Sequence, residues 1–424
     1  MDTVASSSPE KMETRRPQLD DYAAIVGPGE IQELRELARR LSGRTVKMVN
    51  STAVGGGVAE ILNRLLPLFQ DLGVVAHWDV MKGGEDFFHV TKAFHNALHG
   101  EEFEEHPEWF EIFLRVTEEN RRWIDFNEDF VVIHDPQPVG LVPAREGRKN
   151  HWIWRCHIDS SRPNPKVWNF LRPFVERYDA ALFSAPAFTQ GLPIPQYLFY
   201  PSIDPLSDKN RELEPEFIQG VLERFGIDAK RPILTQVSRF DRLKDPVGVI
   251  QAFRRVRKYM DCQLILAGGA ASDDPEGQVV LSETQAAAGD DADIHILNLP
   301  PWSHLEINAL QRASTIVIQK SLREGFGLTV SEALLKKKPV VASAVGGIPF
   351  QVIHKVTGLL AHSIEGTAYQ IRYLLSNPEF ARTLGENGYE HVKENFLLTY
   401  NLKRYLILFL SLLQDNSAPA TPGS

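Results

Sequence analysis

The chain has 424 residues, 43% of them hydrophobic, which is enough for two or three domains with buried cores. Its formal net charge of −9 argues against a nucleic-acid binder, which carries a basic patch or stripe, yet leaves room for a nucleotide site made of a few local cations. Two cysteines, Cys156 and Cys262, lie far apart in apolar surroundings and read as reduced core residues of a cytosolic protein.

Met1–Asp20 is polar and lacks the apolar core of a signal peptide, so a cytoplasmic location is expected. The longest apolar run, Tyr405–Leu413, falls well short of the ~20 residues that span a bilayer, and no membrane contact is expected. Ile31–Leu41 has the apolar spacing of an amphipathic helix, within an N-terminal extension over residues 1–44 that is a candidate partner surface. Thr45–Asn50 reads as the first strand, and the loop Thr52–Gly57 contains Gly55, Gly56 and Gly57. Helix follows at Val58–Gln70, strand at Val74–Val80, and helices at Phe87–Leu98 and Pro107–Phe126. Strands Phe130–Ile133 and His151–Cys156 end in His134-Asp135 and His157 respectively, and Ala180–Phe183 is a further strand. Gly191–Asp204 is rich in proline and reads as an inter-domain linker.

A second alternating series begins at helix Pro215–Phe225. Strands are expected at Ile233–Val237, Gln263–Ala267, Ile294–Leu297, Thr315–Gln319 and Pro339–Ala342, with helices between them. Helices at Tyr369–Leu375, Pro378–His391 and Thr399–Leu413 close the chain, and the polar tail Asp415–Ser424 is expected to be disordered. Alternating strands and helices imply parallel sheets covered on both faces. The fold class expected is therefore α/β: two Rossmann-like domains, residues 45–200 and 205–398, facing a central cleft. Ligands of such sheets bind beyond the carboxyl ends of the strands, where all the polar motifs fall.

The stretch Lys320–Glu332 (KSLREGFGLTVSE) is the most informative. A strand, a turn holding Gly325, Phe326 and Gly327, and a helix from Leu328 offer free backbone N–H groups and a partly positive helix end, which suits a phosphate. Glu324 and Glu332 frame this turn, and carboxylates beside a phosphate are suited to accepting hydroxyl protons from a ribose or a hexose. A bland alternative has the glycines merely turning the chain and both acids in solvent. Arg239 and Lys244 share the loop after Ile233–Val237. Two cations on a leaving diphosphate stabilise the transition state more than the ground state. The triple glycine lets backbone approach a diphosphate or a sugar without a side chain in the way. His157 and His134 can donate to sugar hydroxyls, and Asp135 is either a cleft acid or an ordinary Asp-Pro turn. Asp291-Ala292-Asp293 resembles a metal-carrying D-x-D, but it precedes a strand and reads as a solvated turn. No metal is assigned.

The segments SRFDRLKDP, REGFGLTVSEALLKKKPVVAS and GGIPFQV resemble the donor-site signature of retaining GT-B glycosyltransferases of family 4. The segments VNSTAVGGGVAE, VIHDPQP and WRCHIDSS resemble the glycosyltransferring trehalose synthases of that family, and also trehalose phosphorylases of the same fold. The resemblance runs from about Val46 to the last helices. It implies catalytic roles for Arg239, Lys244, Glu324 and His157. Donor binding would fall to Gly55, Gly56, Gly57, Gly325, Phe326, Gly327, Leu328 and the ribose-binding Glu332. His134 and Asp135 would lie toward the acceptor. The substrates implied are a nucleotide sugar such as UDP-glucose or ADP-glucose and glucose, giving trehalose, with no cofactor, no metal and no nucleic acid. A homodimer is expected, and the final helix would cross back onto the first domain. Arg242 departs from the family pattern as an extra cation beside Lys244. The competing expectations are a trehalose phosphorylase, another family 4 acceptor, a sugar-nucleotide epimerase and a silent sugar-binding protein.

Overall fold

A computed structural model describes residues 16–53, 57–269 and 275–415. Gly55, Gly56 and the tail from residue 416 onward, all subjects of the expectations above, lie outside these residues. The first sheet holds β1 (Thr45–Asn50), β2 (Val75–Val80), β3 (Phe130–His134), β4 (His151–Cys156), β5 (Ala180–Phe183) and β6 (Gln196–Leu198). The second holds β7 (Ile233–Val237), β8 (Gln263–Gly268), β9 (Ile294–Asn298), β10 (Ile316–Gln319), β11 (Val340–Ser343) and β12 (Leu359–Ala361). Both are parallel, in the orders β2-β1-β3-β4-β5-β6 and β12-β11-β10-β7-β8-β9. Parallel strands covered by helices on both faces read as unbroken apolar runs. β3, β4 and β5 are accordingly buried along their whole length.

Each order reverses once among the first strands, between β1 and β3 in one sheet and between β7 and β10 in the other. A crevice opens where the chain leaves neighbouring strands in opposite directions. Every described candidate residue ends or follows one of these four strands, or β4 beside them.

Three expectations change. The proline-rich stretch read as a linker contains β6, which pairs with β5 and completes the first sheet. The crossing between domains comes immediately after it, where Ile203 N–H donates to Phe396 O and Leu398 N–H donates to Ile203 O, both at 2.9 Å. The two chain crossings thus run side by side. The described part of the N-terminal segment read as a possible partner surface, residues 16–44, packs on its own domain: Leu19, Tyr22, Ile31 and Leu34 are buried in the core formed with the last helix. That helix, Leu398–Asp415, lies on the first domain and stacks Phe409 on Phe130 at 4.3 Å. It also runs through Asp415, one residue into the expected tail. No helix among the described residues is long and apolar enough to cross a membrane.

Candidate active site

The second domain's wall is built from the loops after β7 and β10. Gln236, on β7, joins them: its amide donates to Lys244 O at 2.9 Å and accepts from Lys320 N–H at 3.0 Å. Leu322 N–H adds a bond to Leu243 O at 2.7 Å. Asp241 caps the short 3-10 turn Arg242–Lys244 through Leu243 N–H, and Asp245 caps the following helix, Pro246–Arg257, through Gly248 N–H. Asp245 holds a left-handed φ of 47° and receives an ion pair from the buried Lys320. The loops are therefore fixed before any ligand arrives.

Lys244 Nζ lies 2.6 Å from Glu324 Oε2. The same oxygen accepts from Ser321 Oγ at 3.1 Å and Gln319 Nε2 at 3.3 Å. Three donors on Oε2 hold the carboxylate in one orientation and leave Oε1 as its other acceptor. Arg239 is the opposite case, with a side chain 59% exposed and an ion pair to Asp241 of only 3.4 Å. The added cation Arg242 is paired with Glu283 in a two-pronged contact at 2.8 and 2.9 Å.

The glycines are required by close approach. Gly327 has φ 84° and starts the helix Leu328–Leu335, a conformation that a side chain disfavours. A Cβ on Gly346 would fall 1.5 Å from Glu324 O, and one on Gly347 2.7 Å from Gly325 O. The GGIPFQV segment thus buttresses the phosphate-type turn from behind. Its Gln351 donates to Phe326 O and accepts from Ser331 Oγ. Glu332, one turn into the helix, is buried, and Lys336 Nζ donates to its carbonyl at 3.1 Å. Burial works against the charge of Lys209, but the neighbouring Glu332 and Glu60 outweigh it and raise its pKa. Lys209 also pairs with Glu60 at 2.7 Å, tying the crossover to the first turn of the helix Gly57–Asp71.

The first domain's wall is neutral. His134 Nδ1 and His157 Nε2 lie 3.0 Å apart, and His134 Nε2 lies 3.4 Å from Met48 Sδ. A thioether accepts but does not donate, so the His134 proton belongs on Nε2. His134 Nδ1 then accepts from His157 Nε2–H, which leaves His157 Nδ1 as an acceptor. Burial, then Arg155, pushes His134 down to about 3, and burial moves His157 well down as well. With 2% exposure and both ring nitrogens engaged, His134 stands behind His157 rather than in the open cleft, contrary to its expected place beside the acceptor. Asp135, at φ 68°, accepts from His157 N–H at 2.8 Å, and burial raises its pKa to about 6. It clamps the end of β4 at His157.

The walls meet directly. A Cβ on Gly325 would lie 3.2 Å from His157 O, and one on Gly57 3.8 Å from Leu328 Cδ1. Arg323 donates across the cleft to His99 O. His95 and His99, at the end of the helix Glu85–Leu98, complete this contact with rings 4.7 Å apart. Burial lowers them to about 3 and about 4, with His99, then Lys92 and Arg239, adding to the shift of the first, and Arg323 and Lys244 to that of the second. Sequence reasoning missed both histidines; their i, i+4 spacing on an amphipathic helix was the available signal. It also missed Lys209, which belongs to no motif. The Asp293 of the rejected D-x-D is no solvated turn: it bridges Arg231, at 2.5 Å, and Arg257, and so serves structure.

The chain matches two family models, the trehalose synthase N-terminal domain over residues 48–190 and the group 1 glycosyl transferases over residues 221–391. It is 45% identical to the trehalose synthase of Pyrococcus horikoshii over 93% of this chain and 96% of that one. A trehalose phosphorylase of Pleurotus pulmonarius is 28% identical over 92% of this chain but only 60% of its own length. The fold resembles the α,α-trehalose 6-phosphate synthase of Burkholderia multivorans, with a TM-score of 0.72 and 17% identity over 90% of this chain and 99% of that structure. Two parallel Rossmann-like halves, the paired loops at their switch points and this likeness along almost the whole chain make it a member of the trehalose synthase family of GT-B glycosyltransferases.

Proposed function

We propose that this glycosyltransferase forms α,α-1,1-linked trehalose from a nucleoside diphosphate glucose and free glucose, reversibly, with retention and without a metal. The observation that carries the reading is the Lys244–Glu324 pair at 2.6 Å beside the exposed Arg239, with Glu332 buried one helical turn away. The diphosphate lies on Arg239, Lys244 and the N–H groups at the start of Leu328–Leu335. Glu324 Oε1 accepts from the donor hexose and Glu332 from the ribose. As the bond from C1 to the phosphate oxygen breaks, charge grows on the phosphate and the two cations stabilise it. The acceptor oxygen bonds to C1 on the same face, and its proton passes to the departing phosphate oxygen. His157 Nδ1, fixed as an acceptor, orders a hydroxyl of the bound sugar. The enzyme works in the cytoplasm, as a homodimer.

A phosphorylase is the nearest alternative, and the buried Glu332 weighs against it, because inorganic phosphate brings no ribose to satisfy that carboxylate. An epimerase would need acid–base groups over the ring rather than two cations on the diphosphate. Incubation with UDP-glucose or ADP-glucose plus glucose should yield a non-reducing disaccharide, at the same rate in excess chelator. Product from glucose 1-phosphate plus glucose alone would convert the assignment to a phosphorylase.

A further inference from the structure

Arg155, on β4, is 1% exposed and sits in the interior of the first domain. Its guanidinium donates to Phe199 O at 2.6 Å, to Ser184 Oγ at 3.1 Å and to Cys156 O at 3.4 Å, all of them neutral acceptors. Among the described residues it makes no ion pair, and the carboxylate that acts on it is Asp135. A buried ion is ordinarily paired, because taking it out of water is costly. Arg155 cannot escape that cost by losing its proton, since a guanidinium stays charged in proteins. The three acceptors fix its place and leave its charge free to act on its neighbours.

That charge lies beneath the neutral wall. β3 and β4 pair with His134 opposite Arg155, and His157 follows Arg155 by two residues, so the three side chains share one face of the sheet. They line one small cavity together with Pro201 of the crossing and Asn401 and Tyr405 of the last helix. The helix Gly57–Asp71 closes it with Val58, Ile61, Leu62 and Leu65, none of which carries charge. The titratable and charged groups around the guanidinium are Tyr405, Cys156, Asp135 and Arg404. Burial pushes both the Cys156 thiol and the Tyr405 hydroxyl up to about 12, so neither supplies a negative charge.

A proton added to the histidine pair would undo its arrangement. Placed on His157 Nδ1, it abolishes the acceptor directly. Placed on His134 Nδ1, it turns that atom into a donor toward His157 Nε2, and the His157 proton must move to Nδ1. Either way the outward nitrogen of His157 becomes a donor. Burial is the larger force against that proton, and Arg155 is the next for both rings. On Asp135 it acts in the opposite sense and holds the carboxylate ionised against burial. One fixed cation thus sorts three neighbours, two imidazoles kept neutral and one acid kept charged.

We propose, resting on the reading of His157 as the group that orders a sugar hydroxyl, that Arg155 is a positioning residue of the transfer reaction: its unpaired guanidinium fixes the proton arrangement of Asp135, His134 and His157, and so keeps an acceptor nitrogen turned to the sugar.

The test is the pH profile of kcat/KM for disaccharide formation from UDP-glucose or ADP-glucose and glucose, in the wild type, Arg155→Met and His157→Ala. Without the cation the three coupled groups take a proton more readily, and the acid limb should rise by about one pH unit. Relative to the wild type, Arg155→Met should therefore lose about fivefold more kcat/KM at pH 6 than at pH 8. An equal loss at both pH values overturns the proposal, because an arginine that only supports the fold would give that result. Where Arg155→Met does not fold, the wild type decides. Heteronuclear NMR of protein labelled at its histidine nitrogens, with His157→Ala identifying the resonances, should show His157 protonated on Nε2 and bare on Nδ1 from pH 8 down to pH 6. A proton on Nδ1 anywhere in that range overturns the proposal. An impaired His157→Ala beside an Arg155→Met whose loss does not vary with pH overturns the role of Arg155 alone. Wild-type kinetics in His157→Ala overturn the sugar-ordering reading on which it rests.

Discussion

The two walls of the cleft hold their polar groups in opposite ways. The second domain's wall is charged and paired, Lys244 with Glu324 and Lys320 with Asp245, on loops that bond to each other. The first domain's wall consists of imidazoles kept neutral: burial lowers His95, His99, His134 and His157, His99 lowers His95 further, and Arg323 and Lys244 opposite lower His99 further. A charged wall can take up the changing charge of a diphosphate, whereas a neutral wall of acceptors and donors suits an uncharged sugar. The charge asymmetry of the site thus runs across the cleft rather than along it.

The most severe way to break this division is to uncouple the charged wall. Lys244→Ala leaves Glu324 as an almost buried carboxylate without its cation, which should cost about 3 kcal/mol of stability and at least a hundredfold in turnover. Glu324→Gln added to it should return much of the stability and none of the turnover, which calorimetry and rate measurements together would show. Arg239→Ala separates the two effects. Turnover should fall by about a hundred- to a thousandfold, while the melting temperature of so exposed a residue stays put; equal stability loss would mean that Arg239 is structural.

The neutral wall should fail through acid. His134 has a folded pKa of about 3 against an ordinary value near 6.5, so between these values the unfolded chain takes a proton that the folded chain refuses. Stability then falls as pH drops through that window, by about 2 kcal/mol for this residue at pH 5. Denaturant unfolding at pH 7 and pH 5 should show the loss, and His134→Gln should flatten the slope. Glu332→Ala should raise the KM for the nucleotide sugar about tenfold with a smaller change in maximal rate, and an unchanged KM would remove the ribose assignment. Arg242→Ala is the mildest test. Its pair with Glu283 is exposed, so the expected cost is below about 1 kcal/mol, and neither rate nor KM should change.

Much of this was legible in the chain. β1, β4, β5 and β7 fall on the stretches expected from their apolar runs, because buried parallel strands carry an unbroken hydrophobic signal. The strand-end glycines and acids announced the phosphate-type turn because backbone geometry demands particular residues at particular steps. β6 and β12, each three residues long, gave too short a signal to detect, and the prolines around β6 pointed the other way. Asp293 was misjudged for a related reason: an acidic run reads as solvent until Arg231 and Arg257, more than thirty residues away in sequence, fold against it.

The sequence by itself determined the two alternating series, the spacing of Arg239, Lys244, Glu324 and Glu332, and the family those motifs belong to, since each depends on residues close together along the chain. Only the tertiary structure decided that Lys244 meets Glu324, that His134 backs His157 instead of facing the cleft, and that His95 and His99 stand opposite the cations. Those contacts join positions as many as 224 residues apart, as between Arg323 and His99. No local pattern encodes them, because they follow from where two separate sheets reverse their strand order and from how the two sheets face each other.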